Sequence, residues 1–175
     1  MEAVDHGLIT EFDPVIIRRV LGLPSNEQMA AQLRATAEHM RACAAERRRT
    51  VTIVDLAQAD QAPAVQRKMQ AAWVAENEAL LREVSLGTAF VVPSALVRGA
   101  LTAIFWIKPP PHEYALCPSF DEAVDWALVV LRHAGLHVPE RLCTAEGRAA
   151  ARIKVGGEAA SPRAGRGSAR PLHRD

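Results

Sequence analysis

No two cysteines stand in a C-x-x-C pair. The three present, Cys43, Cys117 and Cys143, are widely spaced and odd in number, so neither a disulfide framework nor a zinc knuckle is indicated. A reduced, cytoplasmic protein is expected. No run of about 18 apolar residues occurs, and Met1 to Gly7 carries two acids without a basic-then-apolar progression, so neither a membrane span nor a secretory leader is expected. There is no G-x-G-x-x-G after the first strand-like run and no glycine-lysine loop of the Walker kind, which disfavours nucleotide enzymes. Ser94 follows Val92-Pro93 where a hydrolase elbow would sit, but the flanking glycines are missing, and a helix N-cap is the better reading. No dense carboxylate loop is present, so a metal site and a bound cofactor are not expected.

What is there is an apolar chain, 49% hydrophobic over 175 residues, long enough for one ordinary domain and a remainder. The near balance of charge hides a division. Residues 1–140 sum to −4 and residues 141–175 to +5. Beyond Pro139 the chain turns to Ala, Gly, Arg, Ser and Pro without apolar periodicity. This predicts a domain over 1–138 and a basic, largely disordered tail over 139–175, with a short helix over 144–153 and disorder from about 156 on. Arg163, Arg166, Arg170 and Arg174 allow weak phosphate contacts, but no aromatic is interleaved, so specific nucleic-acid binding is not expected.

Within the body, Leu8 to Phe12 and Val15 to Leu21 are β-prone runs around Asp13-Pro14 and predict an antiparallel hairpin. Ser25 with Gln28 forms a capping box for a helix to about Arg48, with Met29, Leu33, Met40 and Ala44 along one stripe. Thr50 to Ala57 is a buried-looking strand. A helix from Pro63 to about Glu83 follows, then a strand over 88–92, an apolar helix over 95–107, a strand over 112–117, and a helix capped by Ser119 and Glu122 that ends at Gly135. The order β-β-α-β-α-β-α-β-α predicts an α/β domain with a small mixed, mostly parallel sheet, because strands joined through helices must cross over.

Three segments carry a family resemblance: Val51-Thr52-Ile53-Val54-Asp55-Leu56, Ala89-Phe90-Val91-Val92-Pro93-Ser94-Ala95-Leu96-Val97-Arg98, and the run from Tyr114 to Trp126. With the element order they resemble the STAS-like or SpoIIAA-like fold of bacterial anti-sigma-factor antagonists over about residues 8–135. The last segment resembles the family's F-x-S-x-x-E-A-x-x-W ending. In phosphorylation-switched members the strand-ending Asp is followed by Ser or Thr, whereas Asp55-Leu56-Ala57-Gln58-Ala59-Asp60 has no hydroxyl. The nearer comparison is with stand-alone members called STAS/SEC14-like, most of which have no assigned activity.

Asp55 is the one acid at a strand end, where ligands of open α/β sheets gather, but no partner for it is evident. The expectation is an exposed acid steadying the loop before the second helix. His112, Glu113 and Cys117 belong to one strand or its entrance and cannot converge as a catalytic set. A buried Cys117 and a solvent-facing His112 are expected, with His39 on the surface. The helix over 96–107 is apolar almost all round. A two-sided core helix, a homodimer or partner surface, and the wall of a lipid-like pocket all fit that composition.

The resemblance implies a non-enzymatic bacterial regulatory or scaffolding module acting through protein partners, without the phosphorylatable serine. The expected contacts are Asp55, Gln58 and Asp60 at the strand end and Phe105, Trp106 and Ile107 on the apolar helix. The alternative is a carrier of a small apolar ligand or lipid that uses this helix as pocket wall.

Overall fold

The computed structural model describes residues 8–95, 98–99, 101–102, 105 and 109–153. Five strands form one sheet in chain order: β1 (Leu8–Phe12), β2 (Val15–Gly22), β3 (Thr50–Ala59), β4 (Ser85–Val91) and β5 (Glu113–Cys117). β1 and β2 pair antiparallel through the Asp13-Pro14 turn, and β2 to β5 are all parallel, as the crossover argument requires. The helices are α1 (Asn26–Ala45), α2 (Ala64–Glu76), α3 (Glu78–Val84), α4 (Phe120–His133) and α5 (Ala145–Ile153), with a 3₁₀ turn over Glu140–Cys143.

Both predicted capping boxes form their N-cap bond. Ser25 Oγ accepts from Gln28 N at 3.1 Å while Gln28 Oε1 accepts from Ser25 N at 2.8 Å, and Ser119 Oγ accepts from Glu122 N at 3.2 Å. The long second helix is two. It breaks at Asn77, whose Nδ2 donates to the Trp73 carbonyl at 2.9 Å, and α3 then runs straight into β4. This starts β4 at Ser85 and not at Thr88. Gly87 belongs to the strand because a Cβ there would stand 2.6 Å from Trp126 Cη2, so only glycine lets β4 lie this close to α4.

Strand alternation divides the sheet into two faces. One carries Val15, Ile17, Val51, Ile53, Ala89, Val91 and Cys117 and is covered by α4 through Phe120, Ala123, Val124, Ala127, Leu128 and Leu131. Leu131 is fully buried there, and such burial contributes roughly 1.5–3 kcal/mol. The other face is roofed by α1, α2 and α3, where Met40, Cys43, Leu81 and Val84 form a second, smaller cluster.

The domain does not stop at residue 138. Leu142 and Ala151 are both fully buried in the main core. Arg148 and Arg152 of α5 pair with Asp125 and Asp121 of α4, each at 2.6 Å. Packing against the core thus continues past the expected boundary at residue 138, through Leu142 of the 3₁₀ turn and Ala151 of α5. The expected short helix over 144–153 is present; the expected disorder from 156 on falls outside the described residues. Of the predicted helix over 95–107, residues 95, 98, 99, 101, 102 and 105 are helical, and the others lie outside the described residues.

Candidate functional site

The C-terminal end of β3 differs from its expectation. The strand continues to Ala59, so Asp55 sits inside it, in register with Arg19 of β2 and Val91 of β4. Asp55 is 5% exposed, not solvent-facing. Its Oδ2 accepts from Arg19 Nε at 2.9 Å and its Oδ1 from the Ala57 amide at 3.0 Å. Arg19 Nη1 in turn donates to the Arg152 carbonyl at 2.6 Å, which ties the strand pair to α5. With both oxygens engaged, Asp55 is a structural link and not a free base. The lone acid of the sequence had its partner in the adjacent strand, a pairing set by register.

Asp55, His112 and Cys117 do not assemble. Cys117 shares the row of Asp55 but lies two strands away, about 10 Å at the usual strand spacing. His112 belongs to the opposite face, where its Nε2 lies 2.8 Å from Thr88 Oγ1. It is half-buried and not solvent-facing, and burial pushes its imidazole below the ordinary histidine range. Cys117 is buried as expected, and burial pushes its thiol up. His39 is also half-buried, 3.4 Å from Cys43 Sγ, and burial lowers it in the same way as His112.

The exposed groups at the strand ends are Gln58 and Asp60. Leu21 is in register with Gln58, and the Asp60 amide donates to the Gly22 carbonyl at 3.0 Å. Leu21, Leu23 and Val65 are each 49% exposed around them. Gln66 Nε2 donates to the Pro24 carbonyl at 2.7 Å and holds the first turn of α2, with Val65, against this loop. The result is a patch of apolar side chains around two polar ones, built from β2, β3 and α2.

The roofed face of the sheet holds a cavity of about 280 Å³. Its floor is two registered rows, Ile16, Thr52 and Thr88, and Arg18, Val54 and Phe90. Trp73 and Leu81 close it from the helices, and Phe105 from the 98–112 segment. Phe105 packs its ring 5.4 Å from Phe90 and 4.7 Å from Tyr114, so this expected partner contact faces the cavity; Trp106 and Ile107 lie outside the described residues.

Arg18, Arg67, His39 and His112 are on the cavity wall and, among the described residues, no carboxylate is. Arg18 Nη2 donates to Gln32 Oε1 at a long 3.4 Å, and its Nε is buried without a partner among the described residues. Trp73 Nε1 and His112 Nδ1 are buried and unpartnered as well. Burial lowers the Arg18 guanidinium from its ordinary value. Sequence reasoning passed over Arg18. The available signal was the Arg18-Arg19 pair in an apolar strand, since consecutive strand residues point to opposite faces and both faces of this sheet are covered.

No family model matches the chain, and no curated protein matches it. Among solved structures it is similar to an uncharacterized protein from the DUF3478 family with a SpoIIAA-like fold from Shewanella loihica PV-4, at 15% identity and a TM-score of 0.51, over 69% of this chain and 90% of that one. It is also similar to an anti-sigma factor antagonist from Mycobacterium paratuberculosis, at 21% identity and a TM-score of 0.40, over 73% of this chain and 98% of that one. The chain has a SpoIIAA-like fold.

Proposed function

We propose that the chain is a non-enzymatic regulatory module of the bacterial cytoplasm that works through protein contacts, with its working surface at the ends of β2 and β3. The observation that carries this reading is the exposure of Leu21, Leu23 and Val65 near Gln58 and Asp60, because large apolar side chains exposed together at one end of a sheet mark an interaction surface. The absence of Ser and Thr from residues 55–60 argues for constitutive or ligand-set binding and not for a phosphorylation switch there. Asp55, buried and paired with Arg19, contributes to this surface by holding β2 against β3.

Site-specific photocrosslinking tests this directly. A photoreactive residue at Leu21 or Val65 in the full chain, expressed in its source cells, should capture one defined protein, and Asp60→Lys should abolish the product. The same probe at Val129, which is 43% exposed on α4, should capture none. Equal products from all three positions would overturn the reading. Trp106→Ala, followed by light scattering, tests the proposed homodimer separately.

A second reading, a carrier of a small apolar ligand, is favoured by the 280 Å³ cavity, which lies just below the roughly 300–1,000 Å³ usual for small-molecule sites.

A further inference from the structure

Arg18 and Arg19 are neighbours in β2 with opposite fates. Arg19, on the α4 face, is neutralised by Asp55. Arg18, on the cavity face, has no carboxylate partner among the described residues and only a long contact to the neutral Gln32. Arg18 is half-buried with its Nε enclosed, and a partly desolvated guanidinium without a counter-charge is destabilising; water could fill its hydrogen bond but not its charge. Such a group persists where a charged occupant completes it. Among the described residues the wall offers positive or neutral groups and no acid, so that occupant is an anion.

Three further features narrow its class. The surface running away from Arg18 is mostly apolar, through Val54, Phe90 and Phe105, with Thr52, Thr88 and Ser85 among its uncharged polar members. A planar guanidinium presents a fork of donors that matches the two oxygens of a carboxylate. The volume equals roughly nine waters at about 30 Å³ each, room for one short chain and too little for a two-chain phospholipid. We propose that this cavity binds a small single-chain carboxylate, with its head on the Arg18 guanidinium and its apolar chain along Val54, Phe90 and Phe105. The proposal rests on the carrier reading and adds the ligand's chemical class.

Calorimetric titration of the full chain, stripped on a hydrophobic resin, with octanoate and with 1-octanol at pH 8 tests it. Octanoate should bind at least about tenfold tighter than octanol. Arg18→Met should bring octanoate down to the level of octanol and leave octanol unchanged. Ala71→Trp, which fills the cavity from α2, should remove both. Equal binding of the two ligands to the wild type, or a carboxylate preference that survives Arg18→Met, overturns the carboxylate assignment and leaves the carrier reading standing. Binding of neither ligand overturns both. Should Arg18→Met fail to fold, Ala71→Trp decides: a carboxylate preference that it abolishes supports the proposal, and one that persists overturns it.

Discussion

Arg19 and Asp55 meet at 2.9 Å across adjacent parallel strands, with side chains only 12% and 7% exposed. A pair this deep is costly to break, because removing one partner strands the other charge away from water, typically at about 3–5 kcal/mol. Arg19→Met should therefore lower the urea midpoint strongly. The double change Arg19→Met/Asp55→Leu should recover most of the loss, since two apolar side chains suit the site. Equal stability of the single and double variants would show that the charge itself is not what matters.

Acid should weaken the fold through its half-buried histidines. His112 and His39 are both held below the ordinary histidine range, each chiefly by burial, and Arg48 lowers His39 further. The unfolded chain takes up their protons first, near about pH 6.5. Stability is therefore complete above that value and is lost as pH falls toward the lower native values. Urea midpoints should be lower at pH 5 than at pH 7, and His39→Gln/His112→Gln should narrow the difference. An unchanged difference would assign the acid sensitivity to carboxylates.

Thiol reactivity should separate the cysteines. Cys43 and Cys117 are buried and burial raises both thiols, whereas Cys143 is exposed. At pH 8 an aromatic disulfide reagent should modify one thiol rapidly in the native chain and all three in urea. Rapid modification of two or three would show that the roofed face or the α4 face opens readily.

The segment after Pro139 should prove part of the domain. Leu142→Ala should cost about 2–5 kcal/mol, as large-to-small changes in a core do. Gly147→Ala should also destabilise, because a Cβ there would collide with the Arg141 carbonyl group. A chain ending at residue 153 should keep the wild-type midpoint, and one ending at residue 138 should not. If the shorter chain were equally stable, α5 would be an ornament on a complete core.

Much of this architecture was legible along the chain. The hairpin, the caps at Ser25 and Ser119, and the alternation that makes β2 to β5 parallel are all set by neighbours within a few residues. The docking of α5 was not legible, because Leu142 and Ala151 carry no periodic pattern and gain their burial only from contact with the far-off α4 and sheet. His112 was misread for the same reason. Its neighbour Glu113 is exposed, and only the pairing of β5 with β4 turns His112 toward Thr88.

By itself, then, the sequence determined which segments become strands and helices and that the strands must run mostly parallel, since these follow from local hydrogen bonding, turn chemistry and apolar period. Tertiary structure alone decided how two adjacent arginines are used. The register between β2 and β3 gives Arg19 the acid of the next strand, while strand alternation turns Arg18 to the face where α1, α2 and α3 roof a cavity with no acid among its described wall residues. Pairing across strands depends on residues far apart in the chain, and no local pattern encodes which of two like charges will meet its counter-charge.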